Sequence, residues 1–278
     1  MADKIKHVLG LSGGKDSSAL AIYMSQAHPE LDIEYFFTDT GEELDEVYEY
    51  LAMLEGFLGK KIRYLDPGRD FKFYLAQYNQ FLPSAQTRWC TKDLKIKPFE
   101  KWVKSEFTEQ GYTVYSYVAI RADEDFRQGL NSKNVNLITK LPFKDDGIDK
   151  AAVLELLENS GLGLPAYYDW RSRSGCTFCF FQQKIEWVGL KERHPEAFER
   201  AKAMEKTSLE NGSPFSWSEE TLIELERPDR VAQIRADHKK RVDRAKAKRK
   251  VDPLRPEQGA VDLDDIYGQQ KVCLACHK

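Results

Sequence analysis

The chain has 278 residues, of which 31% are charged and 41% hydrophobic, and a net charge of −3. That balance excludes a disordered chain and a generally basic one, so any attraction to nucleic acid has to come from a local patch. No apolar run approaches the roughly 18–20 residues that cross a bilayer, and the start Met-Ala-Asp-Lys has no signal-peptide core, so a cytoplasmic protein with no membrane partner is expected.

The first predicted element is a strand over 5–11, "IKHVLGL", followed by a helix over 16–27 with Ala19, Leu20, Tyr23, Met24 and Ala27 at helical spacing. A second strand reads over 32–40, then a helix over 43–59 with Leu44, Val47, Leu51, Leu54 and Leu58 on one face. A third strand follows at 61–66, helical patterns near 70–80 and 93–107, and a fourth strand at 113–120. Strands alternating with helices predict an α/β fold, a Rossmann-like doubly wound parallel sheet covered on both faces. After about residue 145 the pattern changes. A helix over 147–161 stops at Gly161, an aromatic, Gly- and Cys-bearing segment fills 165–183, and mostly helical sequence runs to about 250. The expected division is a nucleotide-binding α/β domain over 1–145 and a helical, Cys-containing region over 146–278.

The junction of the first strand and helix reads Ser-Gly-Gly-Lys-Asp-Ser, residues 12–17. A strand that hands over to a helix through glycines presents unpaired backbone N–H groups at the helix N-terminus. Gly13 and Gly14 permit close approach of an anion, Lys15 adds a positive charge, and Ser12 and Ser17 add hydroxyl donors. The stretch is a phosphate cradle. It is neither a Walker A loop nor a dinucleotide fingerprint, since GxxxxGK[ST] and GxGxxG are both absent.

The hexapeptide resembles the PP-loop of the N-type ATP pyrophosphatases. Further stretches sharpen the likeness: "TDTGEE" (38–43), "RWCTKDLKIKPFEKW" (88–102), "AIRADED" (119–125) and "WRSRSGCTFCFFQQK" (170–184). In this order, over roughly residues 5–200, they resemble the phosphoadenylylsulfate (PAPS) reductase family, and within it the Dnd- and Ssp-type sulfurtransferases of DNA phosphorothioation. The resemblance implies an adenine nucleotide alpha hydrolase-like fold and cleavage of ATP between its α- and β-phosphates, which activates an acceptor oxygen for displacement by sulfur. It implies ATP bound by Ser12, Gly13, Gly14, Lys15, Asp16, Ser17, Asp39 and Arg121. Mg²⁺ would sit among the phosphates with Asp16 and Asp39 as candidate carboxylates. Lys15, Asp16, Arg88, Lys92 and Arg121 are the candidate catalytic residues, which position the phosphates and neutralise their charge. It also implies a cysteine desulfurase as sulfur donor and other subunits of a modification complex as partners. Two departures bear on the subfamily. The loop is intact, whereas true reductases carry a degraded one, and the chain ends "KVCLACHK" without the Glu-Cys-Gly type of motif.

Five cysteines, Cys90, Cys176, Cys179, Cys273 and Cys276, include two CxxC pairs, a metal-site or thiol-chemistry pattern rather than a disulfide framework. Four thiolates suit either a [4Fe–4S] cluster or Zn²⁺. The resemblance favours the cluster and places Cys90 beside Cys176 and Cys179; Cys273 or Cys276 is the fourth ligand, and the spare thiol a possible sulfur relay. Residues 230–250 hold ten Lys or Arg against two Asp, about 30 Å of helix at 1.5 Å per residue and a candidate DNA contact, which Arg171 and Arg173 are expected to extend. The rival readings are a PAPS or adenylylsulfate reductase, a tRNA thiolase, and a non-catalytic nucleotide- or DNA-binding subunit of a defence complex.

Overall fold

A computed structural model describes residues 4–248, except 126, 130, 131, 133, 174, 214 and 215, together with Ile266. The strands are β1 (Lys4–Leu11), β2 (Ile33–Thr38), β3 (Ile62–Leu65), β4 (Tyr112–Tyr117) and β5 (Leu137–Lys140). They form one parallel sheet in the order β3-β2-β1-β4-β5. The first half of the chain winds outward from β1 in one direction and the second half in the other. The reversal falls between β1 and β4, and in open sheets of this kind ligands bind outside the carboxyl ends of the strands at that point.

The helices are α1 (Lys15–Ala27), α2 (Asp45–Leu58), α3 (Phe71–Gln77), α4 (Trp89–Thr91), α5 (Lys97–Glu106), α6 (Pro142–Asp145), α7 (Lys150–Asn159), α8 (Lys184–Arg193), α9 (Pro195–Glu210), α10 (Leu222–Leu225) and α11 (Pro228–Lys248). Successive residues of a strand point to opposite faces, and β1 shows it: Val8 joins Phe36, Phe99, Trp102 and Val114 under α5, while Leu9 and Leu11 join the larger cluster under α1 and α2. That larger cluster runs without a break from Leu9 to Ile234 of α11. Burial on both faces is why the strands read as near-continuous apolar runs.

The main differences from the sequence reading are these. The fourth strand ends at Tyr117, three residues short, because 118–120 already turn toward the site. β5 was not expected; four residues flanked by Asn and Pro carry too little pattern, and pairing with β4 makes them a strand. The helix expected over 93–107 begins as a π turn at Lys92–Ile96 and continues as α5 with Pro near its first position. The helix expected over 147–161 starts at Lys150, since Asp149 caps it by accepting the Ala152 N–H at 3.0 Å. Gly161 does end it, at φ +77°.

Candidate active site

Residues 12–14 turn the chain from β1 into α1. Gly13 has φ +66°, and a Cβ there would lie 2.6 Å from Val47 Cγ1, so backbone and packing both require glycine. Gly14 is the N-cap of α1 and supplies no side-chain cap. The serines brace the turn: the Ser12 N–H donates to Ser17 Oγ at 3.1 Å, the two hydroxyls are 3.0 Å apart, and Ser17 Oγ donates to the Gly14 carbonyl at 3.2 Å. Two tyrosines from a 3₁₀ turn (Ala166–Asp169) lean on the loop. The Tyr167 hydroxyl donates to the Gly13 carbonyl at 3.0 Å, and the Lys15 N–H donates to the Tyr168 hydroxyl at 3.2 Å. Lys15 is buried, with Nζ 5.2 Å from the centroid of the Tyr168 ring.

Beyond β4, Arg121 reaches back to the start of α1. Its Nη1 donates to Asp16 Oδ1 at 2.9 Å, a buried pair joining segments 105 residues apart. Asp123 accepts from Arg121 Nε at 2.9 Å, and Glu124 in turn accepts from the buried Arg127 at 2.8 Å. Burial opposes the charge on Arg121, yet Asp16, Asp123 and Glu124 raise its pKa further above the ordinary arginine value. Asp39, just past β2, accepts from the Gly41 N–H and the Tyr48 hydroxyl, both at 2.8 Å. Burial and that bond to Asp39 raise the Tyr48 pKa, so the phenol stays protonated.

A thiol corner adjoins the loop. Glu43 and Cys176 form an antiparallel bridge, flanked by Leu44 N–H to the Gly175 carbonyl (2.8 Å) and Thr177 N–H to the Glu42 carbonyl (2.7 Å). Gly175 is required there, since a Cβ would fall 2.0 Å from Val47 Cγ2. Cys176 Sγ donates to Glu43 Oε1 at 3.2 Å, and Lys95 Nζ donates to Cys176 Sγ at 3.5 Å and lies 3.6 Å from Glu43 Oε1. Burial disfavours the charge on Lys95, but Cys176, Glu43 and Cys90 more than offset it and raise its pKa. Burial pushes the Cys90 thiol up to about 11, with Lys95 pulling the other way. Burial lowers the Arg88 pKa, opposed by Cys90 and Cys179. Phe178 closes the corner against Phe71 and Trp217 at 6.0 and 5.8 Å between ring centroids.

Residues 6–131 match the phosphoadenosine phosphosulfate reductase domain. Among curated proteins none matches the chain significantly. Similar solved structures include the PAPS reductase of Candida auris in a phosphate complex, 12% identical with a TM-score of 0.45, covering 62% of this chain and 81% of that one. The U34-tRNA thiolase NcsA of Methanococcus maripaludis with its [4Fe–4S] cluster is 15% identical at TM-score 0.42, covering 75% and 72%. The NMN synthetase of Francisella tularensis is 16% identical at TM-score 0.38, covering 74% and 85%.

Ser12, Gly13, Gly14, Lys15, Asp16, Ser17 and Arg121 come together at the carboxyl ends of β1 and β4, and Asp39 lies at the end of β2. Arg88 stands by Cys90 and Cys179, its Cζ 5.8 Å from the centroid of the Phe181 ring. Lys92 is exposed. The basic group in contact with a cysteine is Lys95, which the sequence reading quoted without giving it a role; the π turn rotates it inward. Tyr167 and Tyr168 were missed altogether, because nothing in "PAYYDW" marks it as a partner of a loop more than 150 residues earlier. Arg171 and Arg173 correct an expectation: at 1% and 6% exposure they do not extend a surface of α11. Among the described residues no three His, Cys, Asp or Glu side chains converge on a metal position. Cys273 and Cys276 lie outside the described residues; of the other three thiols, Cys176 and Cys90 act on Lys95, Cys179 acts on Cys90 and Arg88, and Cys176 is turned to Glu43.

Proposed function

We propose that this protein is an ATP pyrophosphatase that adenylates an acceptor oxygen so that sulfur can replace it, the acceptor being a non-bridging oxygen of a DNA backbone phosphate. The observation that carries the reading is the intact turn at 12–17, a helix N-terminus without a side-chain cap and with a buried lysine beside it. The acceptor oxygen attacks the α-phosphorus of ATP, the bond to the bridging oxygen breaks, and pyrophosphate leaves. Sulfur handed over as a persulfide by a cysteine desulfurase then displaces AMP, and a reducing thiol cleaves the remaining S–S bond.

The chain's own residues supply position and charge. Backbone N–H groups at 12–17 and the Lys15 ammonium stabilise the departing pyrophosphate, where negative charge accumulates. Arg121 orients Asp16 and adds positive potential on the β4 side. Asp39, partly exposed at the end of β2, would be a carboxylate to hold Mg²⁺, which would neutralise charge on the phosphates. Cys90, Cys176 and Cys179 do not converge on a metal position among the described residues; with Cys273 or Cys276 they would be the thiolates to hold a [4Fe–4S] cluster or Zn²⁺, which would contribute sulfur handling or a structural tie. DNA would lie along α11, where Lys239, Arg244 and Lys246 are exposed and have no ion pair among the described residues. Among the described residues no helix is long and apolar enough to cross a membrane.

The test is pyrophosphate release from ATP by anaerobically purified protein, with and without DNA, alongside a visible absorption spectrum and metal analysis. ATP-dependent, DNA-stimulated release that disappears in Lys15→Ala is expected. Thioredoxin-dependent sulfite formation from phosphoadenylylsulfate, with no ATP cleavage, would replace this reading with that of a reductase.

A further inference from the structure

Arg171 is 1% exposed, and Nε, Nη1 and Nη2 are all shielded from solvent with no hydrogen-bond partner among the described residues. The guanidinium carries five N–H donors and is always charged. An unpaired charge of this kind is a heavy burden on a fold unless something anionic answers it. Two other buried arginines at the site have carboxylate partners: Arg121 pairs with Asp16 and Asp123, and Arg127 with Glu124. Arg171 instead lies against the face of Trp170, 5.0 Å from Cζ to the ring centroid. That contact satisfies no N–H.

The location of Arg171 gives these unpartnered donors a chemical meaning. Its backbone N–H donates to the Tyr167 carbonyl at 3.0 Å, so it directly follows the turn whose two tyrosines hold the loop at Gly13 and Lys15. Its charge is felt at the buried Tyr167 hydroxyl, the group bonded to Gly13. The carboxylate that also acts on that hydroxyl, Glu43, is already engaged by Thr40, Cys176 and Lys95. Two positive groups thus border the tyrosine pair: the Lys15 ammonium lies near the Tyr168 ring, and the charge of Arg171 acts on the Tyr167 hydroxyl. A planar fork of donors suits a tetrahedral oxyanion held by two oxygens.

We infer that Arg171 is an anion-binding residue that receives a phosphate brought to the 12–17 loop, on the nucleotide or on the acceptor. This rests on the reading of that loop as a phosphate cradle. The same phosphate would take the Lys15 amide now held by the Tyr168 hydroxyl.

Binding of inorganic pyrophosphate, ATP and a short single-stranded oligonucleotide is measured by calorimetry on the full chain and on Arg171→Met, Arg171→Lys and Lys15→Ala. Arg171→Met should weaken at least one ligand about 10–100-fold, the range for a lost charge-assisted pair. Weakening of pyrophosphate and ATP assigns the nucleotide; weakening confined to the oligonucleotide assigns the acceptor. Without ligand, Arg171→Met should melt no lower than the parent, because an apolar chain replaces a buried unpaired charge. Arg171→Lys, which keeps the charge and loses the fork, should be intermediate. The inference is overturned if all three ligands bind Arg171→Met within twofold of the parent, or if that variant melts well below the parent without ligand. If Arg171→Met does not fold, Arg171→Lys decides, and unchanged binding there overturns it too. If the parent binds none of the three ligands, or Lys15→Ala binds all as before, the cradle reading itself falls.

Discussion

Val47 is wedged between two glycines, and that wedge yields the most exact prediction. It is fully buried on α2, with Cγ1 2.6 Å from the Cβ position of Gly13 and Cγ2 2.0 Å from that of Gly175. Gly13 also has φ +66°, which Gly175 does not share. Gly13→Ala therefore suffers two penalties: about 1–2 kcal/mol for the left-handed backbone and about 1–3 kcal/mol for overpacking against a stiff β-branched neighbour. The expected loss is about 2–5 kcal/mol, a large part of a typical total of about 5–15 kcal/mol. Gly175→Ala suffers the second penalty alone, on a closer contact. Adding Val47→Ala separates the two. It should rescue Gly175→Ala almost fully relative to Val47→Ala, with a favourable coupling of about 1–3 kcal/mol in the double-mutant cycle. The rescue of Gly13→Ala should be partial, leaving the backbone penalty of about 1–2 kcal/mol. Urea unfolding at one pH measures every term, with a constant m-value as the check on two-state behaviour. If Gly13→Ala costs under about 0.5 kcal/mol, or if Val47→Ala rescues neither glycine variant, the account of how loop, helix and Cys176 segment are held together is wrong.

Four further predictions follow from the same geometry. Asp16→Asn should destabilise by about 1–3 kcal/mol, less than the ~3–5 kcal/mol of a fully orphaned buried charge, because Asp123 and Glu124 still serve Arg121; thermal melting with and without Asp123→Asn checks it. Cys90 in metal-free protein should alkylate far more slowly than an ordinary thiol at pH 8 and speed up toward its pKa of about 11, as mass spectrometry of timed iodoacetamide reactions will show. Burial raises the Glu205 pKa despite its bonds from the Trp217 and Leu222 amides, so the stability tied to its protonated form is present at low pH and lost as pH rises through the raised value. Glu205→Gln should therefore compare more favourably with the parent at pH 7 than at pH 4.5 in urea midpoints. Replacing Lys239, Arg244 and Lys246 by Gln should reduce the salt slope of DNA binding by about 2–3 if all three meet phosphates; an unchanged slope would remove α11 from the DNA path.

The sequence by itself determined the scaffold. Alternating apolar strands and amphipathic helices have strong local periods, and a parallel sheet buried on both faces follows from them. The turn from β1 into α1 was equally legible, since Ser12–Ser17 is contiguous and its glycines mark a turn in the sequence itself. Tertiary structure alone decided what meets it. Asp16 is spent on Arg121, 105 positions away, and Tyr168 holds the Lys15 amide from 153 positions away. Lys95 rather than Lys92 faces Cys176, because a π turn shifts the helical phase, and no hydrophobic pattern encodes that shift. Arg171 read as surface charge and proved buried. A residue's type advertises its chemistry, but burial and partnership depend on contacts between segments far apart in the chain, and only the packed fold creates those.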